Sequence, residues 1–489
     1  MPDAVTELAE YIRQGLTATD GPARPKLRRL FTSDGPYQDR RDTSDLFIRD
    51  AYGLANDDGI PWAGLIHPEN PPSGPYGGAS LVWFPTADGS LLSLIVGTRG
   101  LSPDEGLLTS PGHRRRVAAL RRYLTRNGIA AWSKPDPSLL DLPVPNSVVH
   151  AEPYVPFRKA FERYGREMYC IARVPNDTKK ALVAVQAFLS LYASARGWPV
   201  RSAWQAQAAA FESDFRASLF PSVTAVDVAG LLERRRFVVL QGPPGTGKTR
   251  LAEEVKRDHF GGHGMTVQFH PAVTYEDFVV GLSPDPSASG LKFDVRRGWL
   301  TQAVAEARNG RFLLVIDEVN RADLGKVLGE AIYLFEAGEV GGDHSRQVEL
   351  PHEIDGRRTL EIPDGLYVLG TMNTADRSIA SLDLAIRRRF AFVPIWPDQS
   401  VVDEHSTPDG RAIFDRLTDV FVDHAPVDAL DLLPGHAYFL AEDEGEMRER
   451  LRYELLPLID EYLREGYLGP ATTELYAARD QIEDLAYRG

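Results

Sequence analysis

The sequence is poor in cysteine, in long apolar segments and in positive charge. Its one cysteine, Cys170, excludes an intrachain disulfide and has no partner ligands for a zinc site. No segment approaches the roughly 18 apolar residues of a membrane-spanning helix. The opening residues, MPDAVTELAEYIRQGL, alternate acidic and apolar side chains and lack the apolar core of a signal peptide. We therefore expect a cytoplasmic protein with no membrane association.

Length and composition predict a folded chain of several domains. The 489 residues are 43% hydrophobic and 25% charged, which is typical of globular proteins. Residues 1–200 hold 24 Lys and Arg against 21 Asp and Glu, whereas the remainder holds 31 against 48. Only the first part could attract a polyanion by charge, and its small excess is far below that of a basic nucleic-acid surface.

Changes in residue pattern divide the chain into four segments. In the first, an Asp-Gly turn predicts a β-hairpin over residues 80–97, and an apolar stripe predicts a helix over residues 113–126. Later, apolar strands alternate with helical segments, which is typical of a parallel α/β sheet. The expected segments are an α+β domain over 1–150, a helical linker over 151–220, an α/β core over 221–400 and a helical lid over 401–489.

A glycine-rich motif carries the strongest chemical signal. It follows an apolar strand, precedes a helix, and matches G-x-x-x-x-G-K-[ST] in full. In such a loop the backbone amides wrap nucleotide phosphates, the lysine reaches the β- and γ-phosphates, and the threonine hydroxyl binds Mg²⁺. We therefore expect the nucleotide to be held by Gly242, Pro243, Pro244, Gly245, Thr246, Gly247, Lys248 and Thr249.

A second apolar strand ends in two adjacent carboxylates, Asp317 and Glu318. Asp317 at the strand end is expected to join Thr249 in holding Mg²⁺. Glu318 is expected to polarise the attacking water, which requires a carboxylate rather than an amide. Two acids at a strand end can also be a solvated turn, but their distance from a complete phosphate loop favours the catalytic interpretation.

A third apolar strand runs into MNTAD, residues 372–376, and a helix ending in three arginines follows. In AAA+ proteins a polar side chain at this strand end contacts the γ-phosphate and the attacking water. Asn373 is therefore the candidate catalytic residue that senses the γ-phosphate. An arginine at a subunit boundary can act on a neighbour's phosphate. We expect Arg387 and Arg388 to face a neighbour and Arg389 to pack locally, since the helix dipole alone favours some basic residues here.

Four motifs occur in a recognisable order: QFHPAVTYEDF from Gln268, then IDEVNRADLGKVLGE, GTMNTADRSIASLDLAIRRRF, and GHAYF from Gly435. Together they make residues 225–480 resemble the AAA+ domain of the McrB family of modification-dependent restriction motors. The resemblance implies GTP as the usual substrate, catalytic roles for Asn320 and Arg321, a hexameric ring, and an McrC-type partner that stimulates hydrolysis and carries the nuclease. We see no nuclease-like cluster of acids and lysine in this chain outside the nucleotide site.

Asp376 is the residue that favours guanine. A carboxylate can accept two hydrogen bonds from the guanine edge and rejects adenine, which makes Asp376 a candidate nucleotide-binding residue. The competing consideration is that the neighbouring Asn373 is also placed to sense phosphate. The preference for GTP therefore rests mainly on the family resemblance, and ATP remains an alternative substrate.

The N-terminal segment is similar to an MrcB-like domain over about residues 25–125. The similarity rests on PWAGLIHPE from Pro61, the hairpin after it, and the Gly-Thr pair at 97–98. DNA binding through this domain is the expectation that follows. Trp62, Tyr76 and Trp83 could stack on a flipped base, but aromatic residues in a hairpin are more often core, and that interpretation is favoured.

The sequence thus predicts an α/β protein: an AAA+ P-loop NTPase with a parallel αβα sheet and a C-terminal helical lid, preceded by an α+β domain. The leading function is a GTP-driven motor of an McrBC-like restriction complex. One alternative is a MoxR-like, ATP-dependent remodeller of a protein partner. Another is a nucleotide-binding scaffold that hydrolyses slowly and acts as a switch, although the intact Lys248 and Glu318 argue against a dead site.

Overall fold

The computed structural model describes residues 3–18, 22–39, 47–50, 60–66, 78–97, 104–284, 292–341, 345–375, 382 and 384–488. Two of the predicted functional residues, Tyr76 and Asp376, lie outside these ranges. The chain forms two compact units, residues 1–220 with 422–425 and residues 221–421 with 426–489. Among the described helices, none has both the length and the apolar composition that a membrane crossing needs.

An antiparallel sheet organises the first unit. Its strands are Phe47–Asp50 (β1), Ala63–Ile66 (β2), Ala79–Thr86 (β3), Gly89–Val96 (β4), Ala131–Ser133 (β5) and Met168–Arg173 (β6). Their order across the sheet is β1-β2-β3-β4-β6-β5. The β3–β4 pair confirms the predicted hairpin, and a helix over Pro111–Arg126 confirms the predicted amphipathic helix.

Both faces of this sheet are buried. Side chains alternate along β3, as the period of a strand requires: Leu81 and Trp83 enter one apolar cluster, and Val82 and Phe84 enter the other. Burial on two sides explains why β3 is an almost continuous apolar run. The helices of this unit are Ala4–Gln14, Ala23–Arg29, Glu105–Thr109, Pro111–Arg126, Asn146–Val149, Arg158–Tyr164, Thr178–Ala195 and Gln205–Leu219.

The structure corrects the interpretation of residues 151–220 as a linker. This interval contains β6, which pairs with β4 on one side and β5 on the other. It also contains the helix Thr178–Ala195, whose Val185 and Phe188 are buried in the core of the unit. Helical periodicity indicates a buried face but not the element that it faces, so the sequence pattern could not place these residues inside the first domain.

The tryptophans considered for base stacking are core residues. Trp83 is 1% exposed and Trp62 is 9% exposed, each within one of the two apolar clusters. A nucleic-acid base could reach either ring only if the core opened. Burial therefore supports the core interpretation for both.

A parallel sheet organises the second unit. Its strands are Phe237–Gly242 (β7), Gly264–Gln268 (β8), Phe312–Asp317 (β11), Leu366–Asn373 (β14) and Ala391–Pro394 (β15). Two antiparallel pairs lie outside this sheet. They are Val280–Pro284 (β9) with Phe293–Arg297 (β10), and Gln347–Ile354 (β12) with Arg357–Glu361 (β13). The order β15-β7-β14-β11-β8 confirms the predicted α/β class. Since β7, β14 and β11 are neighbours, their carboxyl ends meet at one edge.

Helices cover this sheet and continue into the C-terminal part of the chain. They are Ala225–Arg235, Lys248–His259, Tyr275–Phe278, Trp299–Ala307, Leu324–Leu328, Leu384–Arg387, Gln399–His405, Pro408–Asp423, Glu444–Arg450, Leu456–Arg464 and Thr472–Ala486. The first begins with a capping box, in which the Thr224 hydroxyl and the Asp227 carboxylate each bind the other residue's backbone N–H. As predicted, residues 401–489 are mainly helical.

Candidate active site

The phosphate loop lies at the carboxyl end of β7. Gly245 and Gly247 both have a φ of 77°, a backbone conformation that side chains disfavour. These two glycines let the chain turn sharply into the helix Lys248–His259, with Gly247 at its N-cap. The loop amides and the helix N-terminus therefore have the backbone geometry that suits an anion, at the position of the glycine-rich motif.

The Lys248 ammonium group lies inside this loop. It donates hydrogen bonds to the carbonyl oxygens of Gly242 at 2.9 Å and Pro243 at 2.6 Å, and the side chain is buried. Burial lowers the pKa of Lys248 to about 8, while the Glu318 and Asp317 carboxylates act in the opposite direction. Because these negative groups are near, the lysine is already held at the site as the cation that a phosphate needs.

Asp317 ends β11 and faces two hydroxyl groups. The Thr249 hydroxyl donates to Asp317 Oδ1 at 2.9 Å, and the Thr371 hydroxyl of β14 donates to the same oxygen. A carboxylate beside a threonine hydroxyl is an all-oxygen donor set of the kind Mg²⁺ prefers. The described residues contain no cluster of three His, Cys, Asp or Glu side chains suited to a metal, so Mg²⁺ at this pair would need further oxygen ligands from phosphate and water.

Glu318 is held by contacts to both neighbouring elements. Its backbone N–H donates to the Thr371 hydroxyl at 3.2 Å, the Asn373 amide donates to its Oε1, and Arg321 Nε lies 3.4 Å from its Oε2. Its φ of 56° is unusual for a residue with a side chain. Burial raises the pKa of Glu318, and Arg321 opposes that shift. A buried carboxylate of raised basicity, aimed by an amide, can accept a proton from water.

Thr371 is the site residue to which the sequence assigned no role. Its hydroxyl accepts from the Glu318 backbone and donates to Asp317, so one side chain fixes both acids. The available signal was a polar residue inside the otherwise apolar end of β14. A buried hydroxyl at such a position needs hydrogen-bond partners.

Asn320 and Asn373 link the ends of β11 and β14. The Asn320 amide donates to the Asn373 carbonyl at 3.1 Å. Asn320 is 5% exposed, and its Oδ1 has no hydrogen-bond partner in the described part of the chain. Arg321 is more open, with 45% of its side chain exposed. The residues Glu318, Asn320, Arg321 and Asn373 are thus brought together, as the sequence predicted for a hydrolytic site.

Asn373→Ala is expected to lower the rate of hydrolysis by about 10- to 100-fold while changing nucleotide affinity by less than about threefold. The reason is that the Asn373 amide donates to Glu318 Oε1, so its loss leaves the carboxylate less well aimed. Steady-state phosphate release and nucleotide binding on the same preparation measure the two effects. Asn309→Ala, at an exposed position of the same unit, is the matched control. Equal losses in affinity and rate would contradict this role.

The three arginines at 387–389 differ in exposure. Arg387 and Arg388 are exposed, whereas Arg389 is 9% exposed and donates to the Ala385 carbonyl at 2.9 Å. The guanidinium of Arg387 lies 5.4 Å from the centre of the Phe392 ring. Two of the three guanidinium groups are therefore accessible to another molecule.

A segment of the lid lies against the phosphate loop. The Gly435 N–H donates to the Pro244 carbonyl and the Ala437 N–H to the Gly245 carbonyl, both at 3.0 Å. A Cβ on Gly435 would lie 2.0 Å from the carbonyl carbon of Gly245, so only glycine fits. The sequence motif GHAYF marked this segment as characteristic, but nothing in its residues indicated that it would contact the loop.

The second unit is similar to parts of known proteins. Residues 237–390 match the AAA domain of the dynein-related subfamily. The chain is 36% identical over 181 residues to the Type IV methyl-directed restriction enzyme EcoKMcrB subunit of Escherichia coli (strain K12), covering 36% of this chain and 39% of that protein. It is 25% identical to the Type II restriction enzyme BsuMI component YdiS of Bacillus subtilis (strain 168), covering 32% of this chain and 55% of that protein.

The chain therefore spans about two fifths and about half of the lengths of these two relatives. Among solved structures, NtrX from Brucella abortus in complex with ADP aligns over 64% of this chain and 77% of that protein, with 15% identity and a TM-score of 0.26. A likeness at that score supports no conclusion about function.

Proposed function

We propose that this chain, whose second unit is similar to an McrB subunit over its AAA domain, is the nucleotide-hydrolysing motor of a modification-dependent DNA restriction complex. The proposal that the chain hydrolyses nucleotide is supported by the position of Glu318. Its carboxylate accepts a hydrogen bond from Asn373 and lies near Lys248 and the Thr249–Asp317 pair. Restriction as the context is supported by the two relatives, both named as parts of restriction enzymes.

Each site residue has a place in the proposed reaction. Lys248 binds the β- and γ-phosphates, and Thr249 with Asp317 would hold Mg²⁺, which supplies neutralisation of phosphate charge when bound. Glu318 accepts a proton from a water whose oxygen forms the new bond to the γ-phosphorus. The bond between that phosphorus and the bridging oxygen breaks, leaving a nucleoside diphosphate and inorganic phosphate.

GTP is the substrate that we propose in preference to ATP. The support is the similarity to an McrB subunit, together with the carboxylate of Asp376, whose chemistry suits the two donors on the guanine edge.

A ring and a partner complete the proposal. Arg387 and Arg388 are exposed in the segment that leads into β15, which suits guanidinium groups acting on the nucleotide of a neighbouring subunit. A homo-oligomeric ring, a hexamer by resemblance to the McrB family, would bind an McrC-like subunit that stimulates turnover and cuts DNA. DNA would meet the N-terminal, MrcB-like unit.

The alternative is a MoxR-like, ATP-dependent remodeller of a protein partner. The observation that favours it is the burial of Trp62 and Trp83, which removes two side chains considered for contact with a DNA base. This alternative uses the same site chemistry and differs in nucleotide and cargo.

Phosphate release from the purified protein, with GTP and ATP in parallel, is expected to be selective for GTP and to rise when an McrC-like partner is added. The physical reason is that the partner would complete or align a site whose groups already lie together. GDP and ADP production measured by chromatography provides the check. Turnover with ATP alone, unaffected by the partner, would reject the restriction motor in favour of the remodeller.

A further inference from the structure

The lid turn, residues 435–439, contains a histidine that the proposed chemistry has not used. Two backbone hydrogen bonds, from Gly435 and Ala437, hold this turn against the phosphate loop. His436 lies between them and is partly buried. The backbone on both sides of His436 is therefore held beside the loop.

The orientation of the His436 ring is fixed by one hydrogen bond. The backbone N–H of Asp398 donates to His436 Nδ1 at 3.2 Å. Because Nδ1 is an acceptor in this bond, a neutral ring must carry its hydrogen on Nε2. Burial lowers the pKa of His436, the nearby Arg250 acts in the same direction and Asp398 opposes them, so the ring is neutral at pH 7.

The Nε2 edge faces the phosphate loop. A Cβ placed on Gly247 would lie 3.5 Å from His436 Nε2 and 3.8 Å from Cε1, the nearest atoms to that position. Among the described residues, none accepts a hydrogen bond from this nitrogen. Gly247 immediately precedes Lys248, where the loop amides wrap phosphate oxygens. The free donor is thus next to the place where anionic acceptors bind.

We propose that His436 is a nucleotide-binding residue, whose Nε2–H donates a hydrogen bond to a phosphate oxygen of the nucleoside triphosphate held by the loop. The inference rests on the proposed function only in requiring that the loop binds a nucleotide, and it holds for GTP and ATP alike. Asp398 acts as the positioning group, since its N–H selects the tautomer that can donate. The lid turn thereby contacts the nucleotide as well as the loop.

Two substitutions distinguish the roles of the two ring nitrogens, Nδ1 and Nε2. In His436→Gln the side-chain amide can place a donor near the Nε2 position, and in His436→Asn the carbonyl oxygen can replace Nδ1 as acceptor for Asp398 without supplying that donor. We expect His436→Asn and His436→Ala to weaken binding of fluorescent GTP and ATP analogues by about 10- to 100-fold, as for a hydrogen bond to a charged group. His436→Gln is expected to stay within about threefold of the natural protein.

The reverse order of affinities would overturn the inference. If His436→Asn bound the analogues normally while His436→Gln and His436→Ala did not, the ring would serve only to hold Asp398. Equal affinity in all variants would also exclude the phosphate contact. The melting temperature without nucleotide checks that each variant folds, and the Asn–Gln pair decides the question if the alanine variant is unfolded. Failure of the natural protein to bind either analogue would instead refute the proposed function.

Discussion

Glu318→Gln is expected to bind nucleotide with unchanged affinity and to hydrolyse it about 10²- to 10⁴-fold more slowly, the range supplied by general base catalysis. The amide keeps the shape of the side chain and an oxygen that can accept from Asn373. It cannot accept a proton from water at neutral pH. Binding of a fluorescent analogue and phosphate release over hours, on one preparation, measure affinity and turnover separately.

The matched control for this change is Glu465→Gln, at an exposed position after the helix Leu456–Arg464. It removes the same charge from the same unit and is expected to leave both measurements unchanged. Full turnover in Glu318→Gln would show that another group takes the proton. Loss of affinity would show that the carboxylate serves mainly to organise the phosphate loop.

Lys248→Ala is expected to weaken nucleotide binding by about 10- to 100-fold, because a hydrogen-bonded charge on the phosphates is lost. Turnover should be abolished at ordinary nucleotide concentrations. The change also removes two hydrogen bonds to the Gly242 and Pro243 carbonyls, so the loop itself becomes less ordered. Titration with the fluorescent analogue gives the affinity, and phosphate release gives the rate.

Lys159→Ala is the matched control, since Lys159 is exposed in the first unit. It should bind nucleotide as the natural protein does. If Lys248→Ala bound nucleotide with unchanged affinity, the proposed role of Lys248 in nucleotide binding would be wrong. Raising the ionic strength should weaken binding to the natural protein more than to Lys248→Ala, because the variant has one fewer charge on the phosphates.

The positions of the candidate site residues could be predicted from the sequence because these residues follow apolar strands. β7, β11 and β14 are recognisable as short buried runs, and each ends in polar residues. Parallel strands that are neighbours bring their carboxyl ends together. Because β11 and β14 are neighbours in the sheet, Asp317, Glu318 and Asn373 meet at its carboxyl edge.

The elements that escaped prediction lack a local pattern. In the β9–β10 hairpin, β10 is mostly exposed and three of its five residues are charged, β9 ends in Ser283 and Pro284, and β15 is only four residues long. The pairing of β6 between β4 and β5 joins segments that are distant in sequence. The lid turn carries no charge pattern that matches it to the phosphate loop, because its bonds there come from backbone atoms. Backbone contacts of this kind depend on shape alone.

The left-handed backbone of Glu318 has an implication for how this position tolerates change. A φ of 56° costs a residue with a Cβ about 1 kcal/mol relative to glycine. Substitution by glycine would thus relieve the backbone strain while deleting the carboxylate that we propose as the proton acceptor. At this residue, a substitution that raises folding stability would lower turnover. Selection of variants for thermal stability alone is therefore expected to replace glutamate at this position, and the selected variants would hydrolyse nucleotide more slowly.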